Sequence, residues 1–215
     1  MGYTISAHSR SAYVDAVATP TSGVTRMVWA IAIVWFGVAV GLSASGGLPK
    51  YSRFIGPFVV MPLIAFALAF VVSPRVRAWA FAFDTRTLVM AQAVRVGGIA
   101  FLAVYAVGRL NGLFAVWAGV LDCVVGFSAP FAGHYLTPAR SRWQRRVLIG
   151  WMALGIVDFL VAIPLARMSR AADPASMAAM LTLPLSLITT YFVPIALIDY
   201  FIMGAHLWRQ RRARQ

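Results

Sequence analysis

Residues 112–133 read GLFAVWAGVLDCVVGFSAPFAG, a run with a single charged residue, Asp122, in its middle. About twenty predominantly apolar residues are what a helix needs to cross a bilayer. Glycine recurs at every seventh position, as Gly112, Gly119, Gly126 and Gly133. Filling the intervals in steps of three and four gives Gly112, Ala115, Gly119, Asp122, Gly126, Ala129 and Gly133. That spacing is the seam of a left-handed helix pair, and every member except the aspartate is small. Helices in lipid gain no hydrophobic energy by meeting, so close approach through small residues carries much of their association. The stripe therefore predicts a second helix lying close against this one, with Asp122 on the line of contact.

The rest of the chain has the same character. Of its 215 residues 61% are hydrophobic and 12% charged, against about a quarter charged in a soluble domain. Six apolar spans are expected, at about 24–45, 55–73, 87–108, 112–133, 147–168 and 181–207. The stretch PRVRAWAFAFDTR (74–86) reads as an interfacial connector, with Trp79 and two phenylalanines at headgroup level. Residues 1–23 are polar and lack the short apolar region and cleavage site of a secretory signal, so the first span is expected to stay in the membrane. The predicted fold is all-α: a polytopic membrane bundle of six transmembrane helices over 24–207. A polar cytoplasmic segment (1–23) precedes it and a basic cytoplasmic tail (208–215) follows it.

The net charge of +13 is explained by loop bias rather than by nucleic acid, which is not an expected partner. With both termini in the cytoplasm, the inner side collects Arg10, Arg26, Arg75, Arg77, Arg86, Arg140, Arg142, Arg145, Arg146, Arg209, Arg211, Arg212 and Arg214. The outer side receives Lys50, Arg53, Arg109, Arg167 and Arg170. Thirteen against five is the positive-inside asymmetry and predicts a multi-pass protein of a bacterial inner (plasma) membrane. The lipid bilayer is its first expected partner. A chain of 23.4 kDa is small to enclose a pathway alone, so a homo-oligomer or a partner membrane subunit is also expected. Cys123 is the sole cysteine, which excludes an intrachain disulfide and a multi-cysteine metal site.

A carboxylate at mid-membrane costs about 2.5–3.5 kcal/mol on insertion scales and needs a partner or a proton. Apart from arginines at span ends, Arg95 is the one Lys or Arg inside a span, and Gln92 lies three positions before it on the same helix face. Their depth in the third span matches that of Asp122 in the fourth. An Arg95–Asp122 ion pair is expected, with Gln92 as an auxiliary donor. Such a pair either locks two helices or lines a polar cavity that exchanges a proton, an ion or an anionic ligand. Asp158 in the fifth span, with Gly155 one turn away, and Asp199 in the sixth extend the polar set. The sixth span also holds Thr189, Thr190, Tyr191 and Pro194, the composition of a broken helix where transporters bind substrate. One arginine for three membrane aspartates leaves two carboxylates without an evident cation. The binding set expected from these residues is Arg95, Asp122, Gln92, Asp158, Asp199 and Tyr191.

His134 and His206 both fall at the inner ends of spans and could hold a b-type haem or line a quinone site; no other cofactor is indicated. The fragments GFSAPFAGH and MGAHLW resemble the rhomboid intramembrane proteases, and the resemblance would make Ser128 and His206 a catalytic dyad. Ala129 stands where that motif has its last glycine, and no histidine–asparagine pair precedes it. No span carries a lysine for a retinal Schiff base, and no nucleotide loop or zinc cluster appears. A broader pattern runs through QAVRVGGIAFL, AGVLDCVVGFSAP and LPLSLITTYFVP. It resembles small, uncharacterised polytopic membrane proteins of bacteria, and that resemblance implies a membrane family with no defined activity. Its pattern positions are Gln92, Arg95, Gly98, Gly119, Asp122, Pro184 and Pro194. The leading expectation is a small transporter or ligand-binding membrane protein centred on Arg95 and Asp122. A non-transporting anchor or a haem/quinone subunit is the alternative, and an intramembrane enzyme comes third.

Overall fold

A computed structural model describes residues 22–50 and 55–212. The polar segment up to residue 21, Arg53 and the end of the basic tail at 213–215 lie outside the described residues. Every regular element among the described residues is helical. We label the main helices α1 (Ser22–Ala44), α2 (Ile55–Val72), α3 (Pro74–Ala82), α4 (Thr85–Ala106), α5 (Gly112–Tyr135), α6 (Arg142–Ala172) and α7 (Leu185–Arg212). Five of them, α1 and α4 to α7, are long and apolar enough to cross a membrane. Six spans result if the bent pair of α2 and α3 is counted as one.

The bend in that pair has a local cause. Pro74 occupies the first turn of α3, where its missing N–H costs nothing. Ser73 caps the helix by accepting from the Val76 amide at 3.4 Å. The chain turns through 107° there, and α3 becomes the connector that carries Trp79, Phe81 and Phe83. Asp84 then caps α4, its Oδ1 accepting from the Thr87 amide at 2.5 Å. That bond holds the Asp84 carboxyl below the usual carboxylate range. A group whose folded value is depressed stabilises the fold above the unfolded value and loses that contribution as pH falls through the folded one. Asp84→Ala should therefore cost about 0.5–2 kcal/mol at neutral pH. In thermal melts the difference from wild type should vanish in acid.

Helices α4 and α5 form an antiparallel hairpin. Gly108 turns the chain at φ +70°, a conformation that glycine adopts without strain. Asn111 caps α5 by accepting from the Phe114 amide at 3.1 Å. The stripe on α5 faces α4 along its whole length. A Cβ on Gly112 would meet the Tyr105 ring, one on Gly119 the Leu102 side chain, one on Gly126 the Val96 backbone, and one on Gly133 Met90. The partner helix is not regular. Between its α-helical ends lies a seven-residue 3₁₀ segment, Gln92–Gly98, longer than such runs usually are.

The span boundaries fall within a few residues of expectation, with two corrections. Helix α6 begins earlier than 147, at Arg142, because Ser141 and Gln144 form a capping box. The last span begins at Leu185 rather than 181. The chain before it makes a separate 3₁₀ turn, Ala175–Leu181, and Pro184 sits at the helix cap. Two apolar cores result. One gathers Val89, Leu148, Met152 and Met203; the other gathers Phe101, Phe114, Ala118 and Leu185. Along α4 and α5, Arg95 and Asp122 fall between them.

Candidate functional site

In a 3₁₀ helix, residues three apart eclipse one another. Gln92, Arg95 and Gly98 therefore line one edge of the 3₁₀ segment, and all three are buried. Gly98 leaves room for Asp122, whose side chain occupies the space a Cβ would take. Arg95 is the eleventh of the 22 residues in its span, and Asp122 the eleventh of 24 in its own. The pair therefore sits at mid-length.

The expected ion pair is present. Arg95 Nε donates to Asp122 Oδ1 at 2.6 Å. Three of the four remaining guanidinium hydrogens are also engaged. Nη2 donates to Asp158 Oδ2, and Nη1 donates to the Gly155 carbonyl at 3.2 Å and the Tyr200 hydroxyl at 3.1 Å. The Phe159 ring covers its face, with Cζ 4.2 Å from the ring centroid. One arginine thus joins α4 to α5, α6 and α7. Gly155 is required here, because a Cβ would run into the Tyr200 hydroxyl and come within 2.9 Å of Arg95 Nη1.

Three particulars differ from the sequence reading. Asp158 is not left without a cation, because it shares Arg95 with Asp122. Gln92 does not assist the Arg95–Asp122 pair: its Nε2 donates to Asp199 Oδ2 at 2.5 Å and to the Ala196 carbonyl at 3.4 Å. Tyr191 stands apart from the cluster, edge-on to Trp35 and Phe36 of α1 with centroids 5.8 and 5.1 Å away. Sequence reasoning also missed Tyr200, Phe159 and the Gly155 carbonyl. Tyr200 could have been found by following one face of α7 from Ala196 through Asp199 and Tyr200 to Met203, all of which are buried.

A cavity of about 210 Å³ adjoins the pair. Arg95 and Asp122 lie at its polar end, Val94, Gly97 and Gly98 on one side, and Phe159, Ile188, Phe192, Val193 and Ala196 around the rest. Asp122 lines the cavity, and among the described residues its Oδ2 makes no hydrogen bond, yet it is not sealed from the surface. Deeper in the cluster, Gln92 Oε1 and Asp158 Oδ1 are buried acceptors with no donor among the described residues. The α7 wall of the cavity includes a π-helical turn, Ile188–Phe192, just before Pro194. Insertions of this kind occur often at functional sites.

The other candidates are separated from this centre. His134 is exposed and lies edge-on to Tyr135, while His206 is buried against Phe81. Two axial ligands must face one another across a cleft, and these two rings occupy different surroundings. The Ser128 hydroxyl donates to the Val124 carbonyl at 2.6 Å and accepts from the Trp151 indole at 2.8 Å. Among the described residues it makes no hydrogen bond to His206. No group of three or more metal-ligating side chains comes together among the described residues.

Fold and site together define an apolar, all-helical bundle with helices of membrane-spanning length and a charged cluster at its centre. The chain belongs to the family described as domain of unknown function DUF8737, whose model matches residues 53–207. Every residue of the Arg95 cluster falls inside that match. No curated protein and no solved structure matches the chain.

Proposed function

We propose that this protein is a multi-pass protein of a bacterial inner membrane that binds a small ligand at mid-bilayer, at the site of a small transporter or ligand-binding protein. Both termini face the cytoplasm, as the thirteen-to-five distribution of basic residues favours. The observation that carries the reading is the 210 Å³ cavity ending on Arg95 and Asp122. A pair serving only to lock two helices has no use for open space beside it, and interiors are otherwise close-packed. The charge balance points the same way. One guanidinium can neutralise one of the three carboxyls at Asp122, Asp158 and Asp199, and the remainder calls for protons or a cation.

Xenon tests whether the cavity admits a guest, since apolar cavities of this size take it up. Methyl NMR of the protein in nanodiscs should show saturable shifts at Ile188 and Val193 under xenon, lost when Ala196→Phe fills the space. Val34, 65% exposed on α1, reports xenon merely dissolved in lipid. Shifts at Ile188 and Val193 no larger than at Val34 would return the pair to the role of a sealed helix lock.

A further inference from the structure

We infer that the ligand is an apolar molecule with one hydrogen-bond-donating or cationic end, and that it reaches the cavity sideways from the bilayer, between α4 and α7. The inference rests on the cavity being a ligand site and adds the ligand's chemistry and its route.

The route follows from where the mouth lies. Val94 and Gly97 are exposed on the outer face of α4, and Phe192 reaches the surface from α7. All three line the cavity. Val94 and Gly97 flank Arg95, at the midpoint of their span, so the opening meets acyl chains rather than headgroups or water. The two walls at the mouth are the irregular segments of the bundle, the 3₁₀ stretch of α4 and the π turn of α7.

The chemistry follows from what the cavity presents. Its walls are hydrocarbon and aromatic. Its polar end offers an acceptor, Asp122 Oδ2, whereas the neighbouring guanidinium is committed to two carboxylates, a carbonyl and a hydroxyl and is covered by Phe159. An anion would find four of the five guanidinium hydrogens taken and three carboxyls nearby. A hydroxyl, an amide N–H or an ammonium would find an acceptor in an acid-rich cluster. The size sets a scale: an apolar cavity of about 150 Å³ holds benzene, so this one admits a ring with a short polar arm.

Four probes of that size separate the possibilities: 4-fluorobenzylamine, 4-fluorobenzyl alcohol, 4-fluorotoluene and 4-fluorobenzoate, followed by ¹⁹F NMR on the full-length protein in nanodiscs. The amine and the alcohol should bind about tenfold or more tighter than fluorotoluene, the margin of one buried hydrogen bond to a charged group. Fluorobenzoate should not compete. Asp122→Asn should erase the advantage of the amine over fluorotoluene. Gly97→Trp should abolish or slow the binding of both by about tenfold or more, because nothing lies within 4 Å of a Cβ there and the new ring can cover the mouth without disturbing the bundle. Tightest binding by benzoate, equal binding of amine and toluene, or indifference to Gly97→Trp would each overturn the inference. If no probe binds while xenon still enters, the inference fails and the ligand site stands; if xenon is also excluded, both fall.

Discussion

Replacing Arg95 with glutamine should destabilise the protein by about 3–5 kcal/mol, the cost of stranding buried charges whose partner has been removed. The size comes from what is left behind. Interhelical hydrogen bonds in a membrane protein average only about 0.6 kcal/mol each, so four lost bonds account for about 2.4 kcal/mol and the stranded charges for the rest. Asp122 and Asp158 would remain in a dry interior without their cation. Removing both charges as well, in the triple variant Arg95→Gln, Asp122→Asn, Asp158→Asn, should recover at least half the loss in chemical unfolding followed by tryptophan fluorescence. A triple variant that loses the full sum of the separate effects would mean that the three side chains do not interact.

Gly126→Ala is expected to have the next largest effect. The added methyl would lie against the Val96 amide and 2.9 Å from the Arg95 carbonyl carbon. Backbone on an adjoining helix cannot swing aside as a flexible side chain can. Overpacking of this kind costs about 1–3 kcal/mol, and here it also displaces the turn that aims Arg95. Gly150→Ala is the matched control, since a Cβ there has nothing within 4 Å. It should gain about 0.5–1 kcal/mol from the lost flexibility of glycine within a helix. Unfolding midpoints for the two variants should therefore shift in opposite directions.

The seam, the hairpin and the Arg95–Asp122 pair could be read from residues 87–133 because each rests on a local rule. Small residues at three–four spacing mark close contact, the short linker makes α4 and α5 neighbours, and a buried charge requires a partner. The joining of Asp158 and Tyr200 to the same guanidinium was not readable, because it depends on how α6 and α7 are placed around the hairpin. Gln92 shows the limit well. Its face follows from its spacing to Arg95, but its choice of Asp199 over the Arg95–Asp122 pair depends on a helix about a hundred residues away. The 3₁₀ turn leaves a trace in the sequence: Gln92, Arg95 and Gly98 are spaced by three and three, a period that fits 3₁₀ better than α. The bend between α2 and α3 was legible as a connector, through Pro74 and the aromatic residues after it. The angle was not. The span count and the orientation rest on hydropathy and arginine distribution.

One guanidinium at the centre of the bundle is held between two carboxylates on neighbouring helices. Solid-state NMR in lipid bilayers addresses it most directly, by dipolar recoupling between the side-chain nitrogens of Arg95 and the aspartate carboxyl carbons. Arg95 Nε should correlate with Asp122 Cγ and Arg95 Nη2 with Asp158 Cγ, each correlation disappearing in the corresponding aspartate-to-alanine variant. An Arg95 side chain that correlates with lipid or water and with neither aspartate would contradict the account.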